Sequence, residues 1–159
     1  MSDPLRTLHQ PQKRLIGMNL RMSLRENRTR ELWSSFMPAR SAIDQTISSD
    51  LFSVQVYDNE VDFSPDTIFT KWACMEVGDT TEIPDGMDEL IIPAGEYAVF
   101  MHRGPAHEFP ETLEKVMNWM HDSGREFDAR PQYEVLPVDY PGPASPEAEE
   151  EVWIPIKSK

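Results

Sequence analysis

One unit of secondary structure is written twice along this chain. Residues 14–77 read as strand, helix, strand, strand, and residues 89–156 read as a short lead strand followed by the same order. A chain that repeats a four-element unit is held to architectures in which two similar halves share one core. Paired halves of this kind can enclose a pocket between them. The grammar is clearest over residues 91–110. There Pro93 and Gly95 set a bend, and Tyr97, Val99 and Met101 alternate with Ala98, Phe100 and His102. That is the period of a half-buried strand, and Gly104-Pro105 stops it before a helix with Glu108 and Glu111 near its start.

In the first half, 14–20 is a strand and 24–37 a helix, with Leu24, Glu31, Leu32 and Phe36 near helical spacing and Pro38 as the stop. Strands follow at 51–57 and 67–77. On the latter, Ile68, Thr70, Trp72, Cys74 and Glu76 share one face, and Phe69, Lys71, Ala73 and Met75 the other. In the second half the strand is 96–102 and the helix 109–121. Phe109, Leu113, Val116, Met117 and Met120 stripe that helix, and Gly124 is placed to cap it. Strands at 132–136 and 151–156 close the half, separated by an exposed loop over 137–150. The reading is a single α+β domain over 1–159. Its two pseudo-symmetric β-α-β-β halves, about 14–77 and 89–156, form a curved antiparallel sheet with two helices on one side and a central ligand pocket.

Lys and Arg number 15 against 28 Asp and Glu, a formal charge of −13. Such a field repels phosphates, so direct nucleic-acid binding over a broad surface is not expected, and cationic partners are favoured. Part of the acidity falls in the segment 146–151, read as loop, and need not line any site. No apolar run is long enough to cross a membrane, and the first residues lack the apolar core of a signal peptide. Cys74 is the sole cysteine, which excludes an intrachain disulfide and fits a reducing cytoplasm.

The segments AGEYAVFMHRGP, PETLEKVMNWMHDSG, RPQYEVLP, EVWIPIK and, in the first half, ELWSSFMP resemble the GyrI-like small-molecule-binding domains. These are the effector-binding domains of AraC-type and MerR-type bacterial regulators, and the resemblance covers about 13–157. It implies two β-α-β-β halves with a pocket between them, lined by aromatics and carrying a buried glutamate. It also implies bulky, flat, cationic drugs or dyes as ligands. Relatives include regulators fused to DNA-binding domains, stand-alone proteins that sequester toxic compounds or inhibit gyrase, and stand-alone hydrolases of cyclopropane-containing natural products. The few residues before residue 14 cannot make a helix-turn-helix, so the expectation is the stand-alone form of the family, with direct transcription control in doubt.

Glu134 lies within QYEVL and matches the glutamate the family carries in this strand. Facing a shielded cavity, it would need a cation beside it; facing solvent, opposite a buried Tyr133, it would need nothing. Trp33, Phe36, Tyr57 and Trp72 can stack on flat ligands or fill core, and Trp33 matches an aromatic recurrent in this helix of the family. Met101 can supply adaptable apolar surface, and His102 a pocket rim. Two histidines flanking a turn, without cysteine, make no metal motif, and none of the four histidines has a context for haem, so no metal or cofactor is expected. Nor is there a phosphate loop, nucleophile elbow or HExxH. The expected function is capture of a hydrophobic, cationic organic compound. The alternatives are hydrolysis of electrophilic natural products in the same pocket, or a ligand-dependent partnership with gyrase or a regulator. A homodimer or protein partner is left open.

Overall fold

The computed structural model describes residues 3–58 and 64–158. Eight strands form one sheet: β1 (Arg6–Gln10), β2 (Lys13–Met22), β3 (Leu51–Tyr57), β4 (Phe69–Val77), β5 (Asp88–Ile92), β6 (Gly95–Arg103), β7 (Gln132–Leu136) and β8 (Glu149–Pro155). Two helices, α1 (Thr29–Ala39) and α2 (Phe109–Ser123), interrupt them. The strand order is β1-β6-β8-β7-β3-β4-β2-β5, and every pairing is antiparallel. Exchanging β1 with β5, β2 with β6, β3 with β7 and β4 with β8 turns this order into its own reverse. The architecture is therefore two β-α-β-β units about a pseudo-two-fold axis, which passes through the central β3·β7 pair.

The two faces of the sheet are buried in different ways. On one face the helices build separate cores. Leu32 and Phe36 of α1 pack on Ile16, Ala73 and Met75, while Val116 and Met120 of α2 pack on Ala98, Phe100, Val152 and Ile154. The opposite face carries Leu15, Phe52, Val54, Trp72, Tyr97, Val99, Tyr133 and Trp153 in one cluster, with Leu8 and Leu90 from the edge strands packed against it. No helix covers that face, so the sheet buries it by curling on itself. The Tyr133 hydroxyl reaches Gln10 Oε1 at 2.5 Å, joining central β7 to edge strand β1. Tyr133 and Trp153 stack with ring centroids 5.4 Å apart.

Several boundaries differ from the sequence reading. Helix α1 starts at Thr29, not near Leu24, which is exposed. Ser23 Oγ accepts from the Glu26 N–H and Asn27 Oδ1 from the Thr29 N–H, so side chains hold the intervening residues as turn. Pro38 lies inside the last turn rather than beyond it; its missing N–H deprives only the carbonyl of exposed Ser34. On α2, Thr112 joins Val116 and Met120 as the buried stripe, Leu113 is half-buried and Met117 is exposed. Gly124 does cap the helix, at φ 71°. Strand β5, read as a lead into the second half, hydrogen-bonds to β2 of the first, and β1, absent from the sequence reading, pairs with β6 of the second.

Gly17 lies where β2 crosses Cys74 of β4. A Cβ there would stand 2.0 Å from the Ala73 carbonyl oxygen and 2.6 Å from Cys74 Cα, whereas Gly78 has open space around it. Gly17→Ala is expected to destabilise the fold by about 1–3 kcal/mol or more, and Gly78→Ala to change it by no more than about 0.5 kcal/mol. Denaturant melts of both variants check this; equal melts would mean that the close approach at Gly17 is relieved without cost.

Candidate functional site

The centre of the molecule is the β3·β7 pair, where Ser53 lies opposite Glu134 and Gln55 opposite Gln132. The registers of β3·β4 and β7·β8 extend the two-fold correspondence outward. Phe52 pairs with Cys74 as Tyr133 pairs with Trp153, so Ser53 corresponds to Glu134 and Lys71 to Glu150. The next strands agree: Lys71 pairs with Leu20 and Glu150 with His102. Strand alternation points these groups to the helix side of the sheet, between the two helix-covered cores. Close to the axis the halves thus differ in charge, Glu134 and Glu150 in one standing against Ser53 and Lys71 in the other.

Glu150 and Lys71 are both 6% exposed, and Glu134 is half-buried. Burial, reinforced by the charge of Glu134 and a hydrogen bond to it, raises the Glu150 carboxyl to about 9, and the Lys71 ammonium offsets this only in part. Of the two acids, Glu150 is thus the one whose surroundings favour the protonated form. Tyr140, from the segment between β7 and β8, sits close enough that its hydroxyl is pushed up to about 12, by burial first and then by Glu150 and Glu134. That segment is tied to the turn before α2: the Gly104 N–H donates to the Ala148 carbonyl at 2.8 Å and the Ala106 N–H to the Pro143 carbonyl at 2.7 Å. The Gln132 side-chain amide donates to Gln55 Oε1 at 2.6 Å, so the neighbouring polar pair is satisfied internally.

The residues singled out in the sequence fall into two groups. Glu134, Tyr57, Trp33, Phe36 and His102 lie on the helix side. Tyr57 packs against Phe69, ring centroids 5.4 Å apart. Phe36 is fully buried in the α1 core, and half-buried Trp33 meets its ring edge-on at 5.8 Å. His102 is buried, its Nδ1 2.6 Å from Thr112 Oγ1 and its Nε2 3.1 Å from the Pro105 carbonyl oxygen. Nε2–H donating to that carbonyl and Nδ1 accepting the Thr112 hydroxyl would satisfy both contacts with a neutral ring. Trp72 and Met101 belong to the other face: Trp72 is buried in the aromatic core, and Met101 sits exposed at its rim.

Glu150 was missed. It stands in PEAEEEVW, read as exposed loop up to residue 150, yet β8 begins at Glu149. Counting back by two from the buried Ile154 and Val152 reaches Glu150, and that alternation is the signal that locates it. Cys74 is a buried thiol donating to the Phe52 carbonyl at 3.6 Å, its ionisation pushed far up by burial. Among the described residues no three of His, Cys, Asp or Glu gather as a metal site. A recess of about 270 Å³ lies beside His102, Thr112 and Lys115, next to Glu150 across the β6·β8 pair, and another of about 410 Å³ lies under the end of α1 between Met37, Ile43 and Met75. No helix among the described residues is long and apolar enough to cross a membrane.

Two pseudo-symmetric β-α-β-β halves joined at a central strand pair define the class of fold. Residues 4–157 match the family model of the GyrI-like small molecule binding domain, and the chain belongs to that family. It is 26% identical over 156 residues to the transcriptional regulator BrlR of Pseudomonas aeruginosa, covering 95% of this chain and 54% of the regulator. The chain thus spans about half the length of that curated relative. SAV2435, solved bound to tetraphenylphosphonium, matches with a TM-score of 0.64 at 12% identity, over 96% of this chain and 93% of that one. A hydrolase from Listeria innocua matches with a TM-score of 0.64 at 10% identity, over 98% and 92%. At such identities the solved structures speak to the fold alone.

Because the folded protein keeps a proton on Glu150 that the unfolded chain, at the ordinary value of 4.5, has lost, this acid costs stability progressively as pH rises from about 5 toward 9. Glu150→Gln is expected to match the wild type in thermal melts at about pH 5, and to be the more stable by a few kcal/mol, order of magnitude, near pH 9. Melting curves of constant separation across that range would show that Glu150 is ionised throughout.

Proposed function

We infer that this domain captures a hydrophobic organic cation between its two halves, with Glu134 as the counter-ion. The observation that carries this reading is the acid pair near the pseudo-two-fold axis, with Glu150 buried and Glu134 half-buried on the neighbouring strand. A half-buried carboxylate lacking full solvation gains most from a partner that brings positive charge and little water of its own. Membership of a small-molecule-binding family and the cationic ligand of SAV2435 support the same class of ligand. Tyr57 and Trp33, on the same side of the sheet, supply aromatic surface for flat or bulky groups, and the recess beside His102 adjoins Glu150. A net charge of −13 disfavours phosphate contact, so any regulatory role belongs to a DNA-binding partner or unit rather than to this surface. The buried, unpaired Cys74 suits a reducing cytoplasm.

A second reading is hydrolysis of an electrophilic compound at the same place. It is favoured by the fold shared with the Listeria hydrolase and by a pair of carboxyls of which one holds a proton and one does not, the complement needed for general acid–base work. Incubation with excess ligand separates the two: a binder returns the compound unchanged, an enzyme converts more than one equivalent.

Titration of a cationic dye and a neutral dye of matched shape, read by tryptophan fluorescence, tests the counter-ion. Glu134→Gln should weaken the cationic dye by about 2–5 kcal/mol and leave the neutral dye little changed, with a thermal melt as folding control. Equal losses for both dyes would remove Glu134 from recognition.

A further inference from the structure

Glu134 and Glu150 stand on adjacent strands of one face. Glu134 lies opposite Val152, and Glu150 is the next inward-facing residue of β8, diagonal to it. Two carboxyls this close on one face, one of them 6% exposed, repel each other when both are ionised, and a proton held by the pair removes that repulsion. We propose that the pair holds one proton in the free protein and releases it to solvent when a monovalent organic cation settles beside Glu134, so that capture is proton-coupled. This rests on the counter-ion reading above and adds a second acid to it.

The charge count leads there directly. In the free site the Lys71 ammonium balances one carboxylate, and the second carboxyl is neutral. When a permanent cation enters, the site gains a positive charge that ionisation of the second carboxyl cancels. The cation goes in, one proton comes out, and the net charge of the site is unchanged. A neutral ligand brings nothing to cancel and leaves the proton in place. The pseudo-symmetry explains why this occurs on one side only, because the position related to Glu150 carries Lys71 and that related to Glu134 carries Ser53.

Other charged groups face Glu150 from the elements around it. Lys71 comes from β4, Glu134 from β7 and His102 from β6, where it lies directly opposite Glu150. Tyr140 comes from the covering segment. Glu108, Glu111 and Lys115 of the α2 region line the recess next to His102. His102 holds Thr112 Oγ1 at Nδ1 and the Pro105 carbonyl at Nε2, and neither contact is to Glu150.

Tetraphenylphosphonium, whose charge does not titrate, is the probe. Its affinity for the wild type, measured by tryptophan fluorescence, should rise about tenfold per pH unit between about pH 6 and 8, and level off near the pH at which the free pair ionises. Calorimetry at about pH 7, in two buffers of different ionisation heat, should give close to one proton released per cation bound. Glu150→Gln should bind the probe with a flat pH profile and no proton release. The calorimetric arm needs no variant, so the inference stands testable even if Glu150→Gln folds poorly. Binding with neither pH slope nor proton release would overturn the coupling and leave the counter-ion reading standing. A slope that persists in Glu150→Gln would assign the proton to another group and overturn it likewise. Failure of tetraphenylphosphonium to bind at any pH would sink both.

Discussion

The antiparallel pairing of β3 with β7 is the contact on which the rest of this molecule depends. It is the sole strand pairing that joins the two inner hairpins, β3·β4 and β7·β8, and it turns two short sheets into one that is wide enough to curl. Curling is what buries the aromatic face, since both helices are committed to the other side. The same pairing draws the pseudo-two-fold axis, and so decides which side chains meet at the centre. A one-residue slip here would exchange Tyr133 for Glu134 on the aromatic face, setting a carboxylate among Phe52, Tyr97 and Trp153. The core on one face and the acid on the other are thus specified by one register.

Much of the frame could be read from alternation. The residues 132–136 read as a strand in the sequence are β7 itself, and Gly124 is the helix cap it was taken for, because both depend on local chemistry. What local chemistry could not supply was partnership between strands. β1, RTLHQ, contributes Leu8 and little else to the core, so it lacks a pattern; it is a strand because β6 offers it an edge. Trp72 and Glu134 sit on strands that were each read correctly, yet only the register across β4, β3 and β7 puts them on opposite faces.

Glu150 shows a different limit. Its sequence neighbours are acids and a proline-rich stretch, and averaged composition points to solvent. Single-residue alternation points inward, and alternation wins because Val152 and Ile154 are anchored against α2. An acid run can hold one buried member when the strand's phase is set by apolar residues further along. The chemistry of the site then follows from position, since two carboxyls on neighbouring strands with one amine nearby cannot all be charged away from water.

The exchange of edge strands between the halves has a consequence for how the chain is made. β1 leaves the ribosome first, yet its hydrogen-bonding partner β6 follows only after the entire first half and β5 have been synthesised. The first half cannot satisfy its own outer edge until β5 appears, so neither repeat closes as a unit during elongation. Much of the pairing is between segments distant in sequence, and β1·β6, β2·β5 and β3·β7 join the halves, which favours slow, cooperative folding over stepwise assembly of two modules. The traded edge strands add two pairings between the repeats to the central β3·β7 contact. Trading them makes the repeats inseparable, and a truncated chain ending between the halves would expose unpaired edges to aggregation.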